Sequence, residues 1–430
     1  MPREMKETGI EWIGEVPKDW DIVRIAKLAT IKTGNTPTGD VFSDDNGIDW
    51  IKTNNLLEEK GTSKSLLKIK NEFISNSVIA DKGSTLVSCI GDIGKMAYLR
   101  YSVSYNQQIN SVKFKNIIDE KFGFYSLYSQ KEQHKSLSNG NVLKILNSYK
   151  HGLVKITFPN IKEQKKIADL LDKKCQEIEE IKETIEAEIK TLDEYKKSII
   201  TEAVTKGLDK GAEMKDSGIE WIGQIPKHWS LSKIKFIADI FGRIGYRGYT
   251  RQDIVDEGDG AVSLSPSNMI EGKVYVDKCT YISWEKYEES PEIKIYDNDI
   301  LMVKTGSSYG KVALAENLDV KATINPQLIV LKSKIKNYKY LYYTMSSKLF
   351  EHQTEMTVTG GTIPTMSQEK IAEFYTILPP INEQNAIAEY LDHKTSAINE
   401  AIDGKRAQLV ALDEYKKSLI YEYVTGKKEA

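Results

Sequence analysis

Leu192-Asp193-Glu194-Tyr195-Lys196-Lys197-Ser198 returns unchanged as Leu412-Asp413-Glu414-Tyr415-Lys416-Lys417-Ser418. Each copy closes a long, charged, helix-patterned segment, the first from Pro159 to about Gly207 and the second from Pro379 to about Lys427. The match reaches well beyond seven residues, and internal repeats are the feature to settle first in a chain of this length. At a shift of 220 positions, Ile161, Glu163-Gln164, Ile167-Ala168, Leu171-Asp172 and Ile178 meet Ile381, Glu383-Gln384, Ile387-Ala388, Leu391-Asp392 and Ile398. Glu202, Val204 and Thr205 then meet Glu422, Val424 and Thr425.

Beyond these segments, a second repeat joins Met5-Lys6 through Trp20 to Met214-Lys215 through Trp229; both copies hold Gly-Ile-Glu-Trp-Ile-Gly and a following Pro-Lys-x-Trp. The chain therefore reads as box, variable region, helix, and again box, variable region, helix. This is a tandem duplication with diverged middles. The expected division is 1–20 (first box), 21–158 (first lobe), 159–207 (central helical spacer), 208–229 (linker and second box), 230–378 (second lobe) and 379–430 (terminal helical spacer). The expected fold class is mixed α/β (α+β): two globular lobes, two long antiparallel helices forming a coiled coil, and a pseudo-twofold internal repeat.

The helical expectation rests on spacing. Leu171, Cys175, Ile178, Ile185, Ile189, Leu192 and Ile199 recur at three- and four-residue steps, and Leu391, Thr395, Ile398, Ile402, Leu409, Leu412 and Leu419 occupy the same register. Apolar residues at that period flanked by Glu and Lys describe a heptad seam. Two such helices in one chain most simply pack on each other, antiparallel. Thr395, Gly404 and Lys405 weaken the second seam. About 47 helical residues at ~1.5 Å each reach ~70 Å, enough to hold two lobes apart.

Composition narrows the class. The 430 residues are 40% hydrophobic, enough for ordinary cores. Cys89, Cys175 and Cys279 form no metal-type spacing, and an odd number argues against a disulfide framework, so a reducing cytoplasm is expected. No apolar run approaches the ~20 residues a membrane span needs, and Met1-Pro2-Arg3-Glu4 opens no signal-peptide core. The net charge is −2, but its distribution is uneven: the first lobe carries roughly +6, the second about −1 and the central helix about −2. A basic first lobe fits phosphate contact.

Within the lobes, Gly34-Asn35-Thr36-Pro37-Thr38-Gly39 reads as a loop, Thr85–Ile90 as a buried strand and Phe122–Gln130 as a helix. Gly91-Asp92-Ile93-Gly94-Lys95 has a counterpart in Gly306-Ser307-Ser308-Tyr309-Gly310-Lys311. Neither is a nucleotide loop, because the glycine spacing is wrong and Met96 or Val312 stands where a magnesium-binding Ser or Thr is required. Their agreement implies that the lobes share a fold. So does that of Asn106-Gln107-Gln108-Ile109 with Asn325-Pro326-Gln327-Leu328, and of Asn139-Gly140 with Gly360-Gly361. Such amides can pair with adenine edges or cap turns, and the sequence leaves both open. Phe241-Gly242-Arg243-Ile244-Gly245-Tyr246-Arg247-Gly248-Tyr249 combines close backbone approach, forked donors and flat rings; it reads either as a nucleic-acid contact or as a tight turn.

No catalytic constellation emerges. His134, His151, His228, His352 and His393 lack metal-ligand spacing, and no GxSxG elbow is present. Asn325-Pro326-Gln327-Leu328 shares only two residues with the Asn-Pro-Pro-Tyr motif of adenine methyltransferases, lacks the aromatic that stacks on a flipped base, and follows no glycine-rich cofactor loop. A reader or scaffold is expected rather than an enzyme.

Taken together, the boxes, the Pro-x-Ile-x-Glu-Gln openings of both helices and their Leu-Asp-Glu-Tyr-Lys-Lys-Ser ends resemble the specificity subunit of type I restriction–modification systems over nearly the whole chain. Gly34-Asn35-Thr36-Pro37 and the stretch from Gly242 to Gly248 resemble openings of that family's target-recognition domains. The resemblance implies that each lobe reads one half of a split double-stranded DNA site, that the helices set the gap, and that the subunit does no chemistry. It implies two partner modification subunits, which bind S-adenosylmethionine and methylate adenine, and commonly restriction subunits. No metal or cofactor is expected on this chain itself. Opposed lobes suit half-site geometry, and the chain ends should meet in a circular layout. With so little net charge, DNA binding by the isolated chain is expected to be weak.

Expected DNA-facing loop residues are Asn35, Thr36, Lys52, Asn54, Ser88, Asp92, Lys95, Asn139 and Lys144 in the first lobe. In the second they are Arg243, Tyr246, Arg247, Arg251, Lys304, Ser307, Ser308, Tyr309 and Thr362. Arg247→Ala should relax readout at one base pair by ~1–3 kcal/mol if Arg247 meets a base edge. The competing class is a tandem adaptor that binds protein or carbohydrate at the ends of a helical spacer.

Overall fold

The computed structural model describes residues 3–43, 45–58, 61–140, 144–243, 245, 248–357 and 365–430. By internal packing the chain divides into two compact units: residues 1–185 with 406–430, and residues 186–405. Each unit holds one lobe together with a portion of both long helices.

The central helix spans Ile161–Lys206 and the terminal helix Ile381–Val424. Asn160 starts the first: its carbonyl takes the Gln164 amide and its side-chain oxygen takes the Glu163 amide at 3.1 Å, satisfying donors that the first turn leaves open. Pro380 supplies the corresponding carbonyl to Gln384. Both helices stop at a glycine in the left-handed region, Gly207 (φ 76°) and Gly426 (φ 74°), the conformation that turns a chain out of a helix. A side chain at Gly426 would also strike the Pro17 ring.

Within each unit the two helices run antiparallel. In the first, Lys416 Nζ meets Glu179 Oε1 at 2.8 Å and Lys182 Nζ meets Asp413 Oδ1 at 2.7 Å. In the second, Lys196 Nζ meets Asn399 Oδ1 at 3.0 Å and Lys405 pairs with Glu188. Leu171, Cys175, Ile178, Ile185, Ile199, Leu391, Ile398, Ile402 and Leu419 are buried, while Ile189, Leu192, Thr395, Leu409 and Leu412 are half-buried. Lys405, which reads from sequence as a defect in the seam, is thus used as a cross-helix partner.

The first lobe joins a four-stranded antiparallel sheet (Ala29–Thr33, Thr85–Ser88, Met96–Tyr98, Ile109–Phe114) to a five-stranded one. The second sheet contains a parallel pair, Ile48–Ile51 beside Val103–Tyr105. The second lobe repeats the plan: Ala238–Gly242, Ile300–Val303, Val312–Leu314 and Leu328–Ser333 belong to one sheet. Gly260–Leu264 runs parallel to Ala322–Ile324 in the other. Strand Asp21–Arg24 pairs with Lys155–Phe158, and Ser230–Lys233 with Tyr375–Leu378, so each lobe is fastened at its own two ends. The chain ends also meet within the first unit, where Arg3 lies 3.8 Å from Glu429 and the Tyr421 hydroxyl donates to the Ile13 carbonyl at 2.9 Å. Among the described residues, no helix is long and apolar enough to cross a membrane.

Candidate nucleic-acid interface

The joints explain why the boxes repeat. Trp20 is 1% exposed and its indole N–H donates to Glu163 Oε2 at 3.2 Å; Trp229, equally buried, donates to Glu383 Oε2 at 2.9 Å. Each Pro-Lys-x-Trp is therefore locked to the Glu of its own Pro-x-Ile-x-Glu-Gln helix opening. The neighbouring glutamine holds the turn before the helix, with Gln164 Nε2 donating to Pro159 O at 2.8 Å and Gln384 Nε2 to Pro379 O at 2.9 Å. These contacts fix each lobe on its helices within its own unit.

Several loops converge at one edge of the first lobe. The Asn106 amide bonds the Ile51 carbonyl, Cys89 bonds Gln108, and Leu146 bonds Cys89. Gly34 and Asn35 bond Ile109 and Tyr105. Each strand end is thus tied to its neighbour, and the segments near residues 34–36, 52–56, 89–95, 106–108 and 144–146 form one continuous rim.

The second lobe builds the same rim from different residues. Asn325 bonds Leu264, Lys304 bonds Gln327, and Met366 bonds Lys304. Ser88 N meets Lys95 O at 2.7 Å in one lobe, and Val303 N meets Lys311 O at 2.9 Å in the other. Gly94 (φ 86°) and Gly310 (φ 82°) close these turns, each in a conformation that side chains other than glycine rarely adopt. The pairing makes Lys95 equivalent to Lys311, Cys89 to Lys304, Lys52 to Ser265 and Asn54 to Ser267.

The shared amides serve the turns. Asn106 Oδ1 accepts the Gln108 amide at 3.1 Å and Asn325 Oδ1 accepts that of Gln327 at 3.0 Å. Asn55 and Asn268 close the preceding turn on Lys52 and Ser265 in the same way. These side chains hold backbone in place, the role left open by the sequence for the Asn-x-Gln pairs.

The expected contact residues divide sharply. Thr36, Lys52, Asn54, Asp92, Asn139, Lys144, Arg251 and Ser307 are exposed, and Lys95, Ser308 and Tyr309 are half-buried. Lys52 lies over the Trp50 ring at 5.0 Å, Thr36 bonds Gln107, and Asn139 accepts from Lys150. Tyr309 shares a 2.9 Å hydrogen bond with Thr357. Lys304 is half-buried, and desolvation lowers its pKa below the usual lysine value.

Three expectations need correction. Ser88 is fully buried and donates to the Ile90 carbonyl at 3.1 Å, because its position on a central strand points inward. Arg243 is 5% exposed, donating to Ile324 O at 3.0 Å and Thr323 Oγ1 at 3.2 Å beneath Tyr249; burial lowers its pKa. Asn35 engages both ends of its amide, accepting from the Val78 amide at 3.0 Å and donating to Asn76 O at 3.2 Å. All three side chains hold the rim together instead of projecting from it. Tyr246, Arg247 and Thr362, with Gly360-Gly361, lie outside the described residues.

Other rim residues lie beyond the expected contact set. Gln107 and Gln327, within stretches whose amides the sequence left open between base pairing and turn capping, stand exposed on the rim, as does Lys311, signalled by the repeated Gly-Lys turn. A cleft of about 1100 Å³ in the second unit is lined by Asp193, Lys196 and Lys197 of the repeated signature with Glu271 and Lys311 of the lobe. Its counterpart in the first unit, about 290 Å³, is lined by Asp413, Lys416, Lys417 and Glu58. Among the described residues, no group of three His, Cys, Asp or Glu side chains is placed to hold a metal ion.

A family model described as the type I restriction modification DNA specificity domain matches residues 17–191 and again 229–410. The MjaVIII specificity subunit of Methanocaldococcus jannaschii is 25% identical over 425 residues, covering 96% of this chain and 93% of its own. The EcoKI specificity subunit of Escherichia coli K12 is 21% identical, covering 90% and 86%. A solved chain from work on complex assembly and conformational transition of the type I R-M system superposes with a TM-score of 0.67 at 14% identity, over 96% of this chain and 99% of that one. At that identity the superposition establishes the fold alone.

Proposed function

The chain belongs to the type I restriction–modification DNA specificity family, and from that premise we propose that its two recognition domains read the two halves of an asymmetric, split DNA site. Specificity subunits of this family recognise DNA without catalysing a reaction, and their partners are DNA and the methyltransferase and restriction subunits. The finer reading is that the rim of each lobe meets the duplex, the paired helices set the gap, and two modification subunits dock on their exposed flanks. The observation that carries it is the pair of equivalent rims: one backbone frame, held by the same internal bonds, presents different exposed side chains in each lobe. A common frame with unlike tips suits two unlike half-sites. The family match favours this reading over the tandem adaptor.

Co-expression with the partner modification subunits, followed by mapping of N6-methyladenine in host DNA, tests the proposal. A single split motif with an unspecified gap is the expected result. A stable purified complex that methylates no defined motif overturns it. The isolated chain, with a net charge of −2, should bind DNA weakly, because it offers no excess of positive charge to displace counterions.

A further inference from the structure

The two rims permit a division of labour that neither lobe reveals alone. Where lobes have diverged, an identical residue at an equivalent position needs a shared reason. For Asn55/Asn268, Asn106/Asn325 and Gln108/Gln327 that reason lies inside the protein, since their side chains close turns. Lys95 and Lys311 are the exception. Their backbones occupy the same turn, and among the described residues no hydrogen bond or ion pair engages either ammonium. Lys311 borders the cleft that Glu271 also lines, but Lys95 does not border its counterpart, so the cleft gives no shared account of why both are lysine.

Resting on the recognition reading above, we propose that Lys95 and Lys311 are a matched pair of phosphate contacts that seat each lobe on the duplex. The non-identical positions of the same rim, Lys52/Ser265, Asn54/Ser267 and Gln107/Pro326, discriminate bases. A phosphate is common to every half-site, so a residue that meets it can stay the same while targets differ. A base edge is not common, so its reader must change with the target. The turn geometry suits a seating role. Each lysine follows a left-handed glycine, and its own carbonyl is held by the central strand, so the Cα is fixed while the long side chain, half-buried at Lys95 and exposed at Lys311, can carry its ammonium to a phosphate.

The test uses the purified complex of the full chain with its modification subunits and a fluorescent duplex carrying the mapped motif. Lys95→Gln with Lys311→Gln should weaken binding by the same factor on cognate and unrelated duplexes. It should lower the slope of log K against log salt by about two, one per lost phosphate contact, and the methylated motif should stay the same. Lys95→Arg with Lys311→Arg should restore the slope. Asn54→Ser with Gln107→Ala should alter the sequence accepted in one half-site and leave the other half intact. An unchanged slope in the double Gln variant, or a motif altered by it, overturns the assignment, as does an unaltered motif in the Asn54/Gln107 variant. If instead the unsubstituted complex shows no motif at all, the recognition reading fails before the lysines are tested.

Discussion

The two lobes share a frame but stabilise it differently, and the clearest contrast lies beneath the rim. In the first lobe, His134 Nδ1 donates to the Gln130 carbonyl at 2.8 Å, which leaves Nε2 to accept from His151 Nε2 at 3.2 Å. His151 Nδ1 then accepts from Asn110, 3.3 Å away, and the same amide nitrogen donates to Leu146 O on the rim at 3.0 Å. Thr33 completes the set by donating to Asn110 Oδ1 at 2.8 Å. In the second lobe the equivalent positions are Ile329, Thr354 and Ile371. Shared bonds identify them: Gln133 brackets Lys155 just as Gln353 brackets Tyr375. A polar chain in one lobe thus stands where the other packs two isoleucines and a threonine whose hydroxyl donates to the Phe350 carbonyl of its own helix at 2.7 Å. The frame does not require polarity there; it requires only that every buried group be satisfied.

What the lobes share should give the largest and most equal effects. Leu171 and Leu391 sit at matching places in the two helices, and both are fully buried. Leu171 packs in a core with Leu419 and Ile420, and Leu391 in one with Ile200 and Ile387. Leu171→Ala and Leu391→Ala should each cost about 2–5 kcal/mol, as leucine truncations in closed cores do. Hydrogen exchange should place each loss in its own unit, residues 1–185 with 406–430 for the first and 186–405 for the second. A large cost in one and none in the other would break the equivalence of the halves.

Where the lobes differ, effects should be one-sided. Asn110→Ile installs the second lobe's residue in the first and strips partners from His151, Thr33 and Leu146. A cost of about 1–3 kcal/mol is expected for leaving buried polar groups unsatisfied. Adding His134→Thr and His151→Ile should recover much of it, since replacing a whole network by matched packing can be nearly neutral. Chemical denaturation of the single and triple variants beside the parent chain measures this. Failure of the triple variant to recover would mean that the network does more than fill space.

Acid should sharpen the contrast. Burial pushes His134 down to about 4, and burial with the neighbouring His134 holds His151 well below its ordinary value. Both rings are therefore neutral in the fold and charge more readily once unfolded, near 6.5. Their contribution is present above that value and is lost as pH falls from about 6.5 toward 4, by up to about 1.4 kcal/mol per pH unit for each group. Amide exchange at 131–137 should rise through this window relative to 348–354. The triple variant, in which His134→Thr and His151→Ile remove both rings, should abolish the difference.

Much of this architecture could be read from sequence because it is periodic or repeated. The seam follows from three- and four-residue steps, and the Gly-Lys turns and Asn-x-Gln pairs from their reappearance in order. The joints were visible as repeats, although not as bonds, because Trp20 and Glu163 lie far apart in the chain and meet only through the fold. His134 and His151 belong to different short helices, and no spacing rule brings their rings together. Side-chain direction was the other blind spot. Arg243 and Asn35 have the chemistry of base readers, but in sequence a donor aimed outward is indistinguishable from one that closes a loop. Only the neighbouring carbonyls of Ile324 and Asn76 decide the matter.

The smallest expected effect tests the likeness of the rims at its finest grain. Glu58 and Glu271 each lie three residues beyond the matched asparagines Asn55 and Asn268, and both adopt left-handed backbone, φ 53° and 51°. That conformation costs a residue with a side chain about 1–2 kcal/mol. Glycine removes the strain but enlarges the unfolded ensemble, which returns about 0.4–1 kcal/mol of the gain. Glu58→Gly also loses an ion pair with Lys131 at 3.3 Å, whose half-exposed setting makes it worth little. Glu58→Gly and Glu271→Gly should therefore shift stability by at most about 1.6 kcal/mol each, with the same sign, whereas Val at either site should destabilise. Equal shifts would mean that the two turns are strained alike despite their different surroundings. Opposite signs, read from paired denaturation curves, would show that one glutamate holds its turn through its side chain, and the likeness of the rims would then end at Asn55 and Asn268.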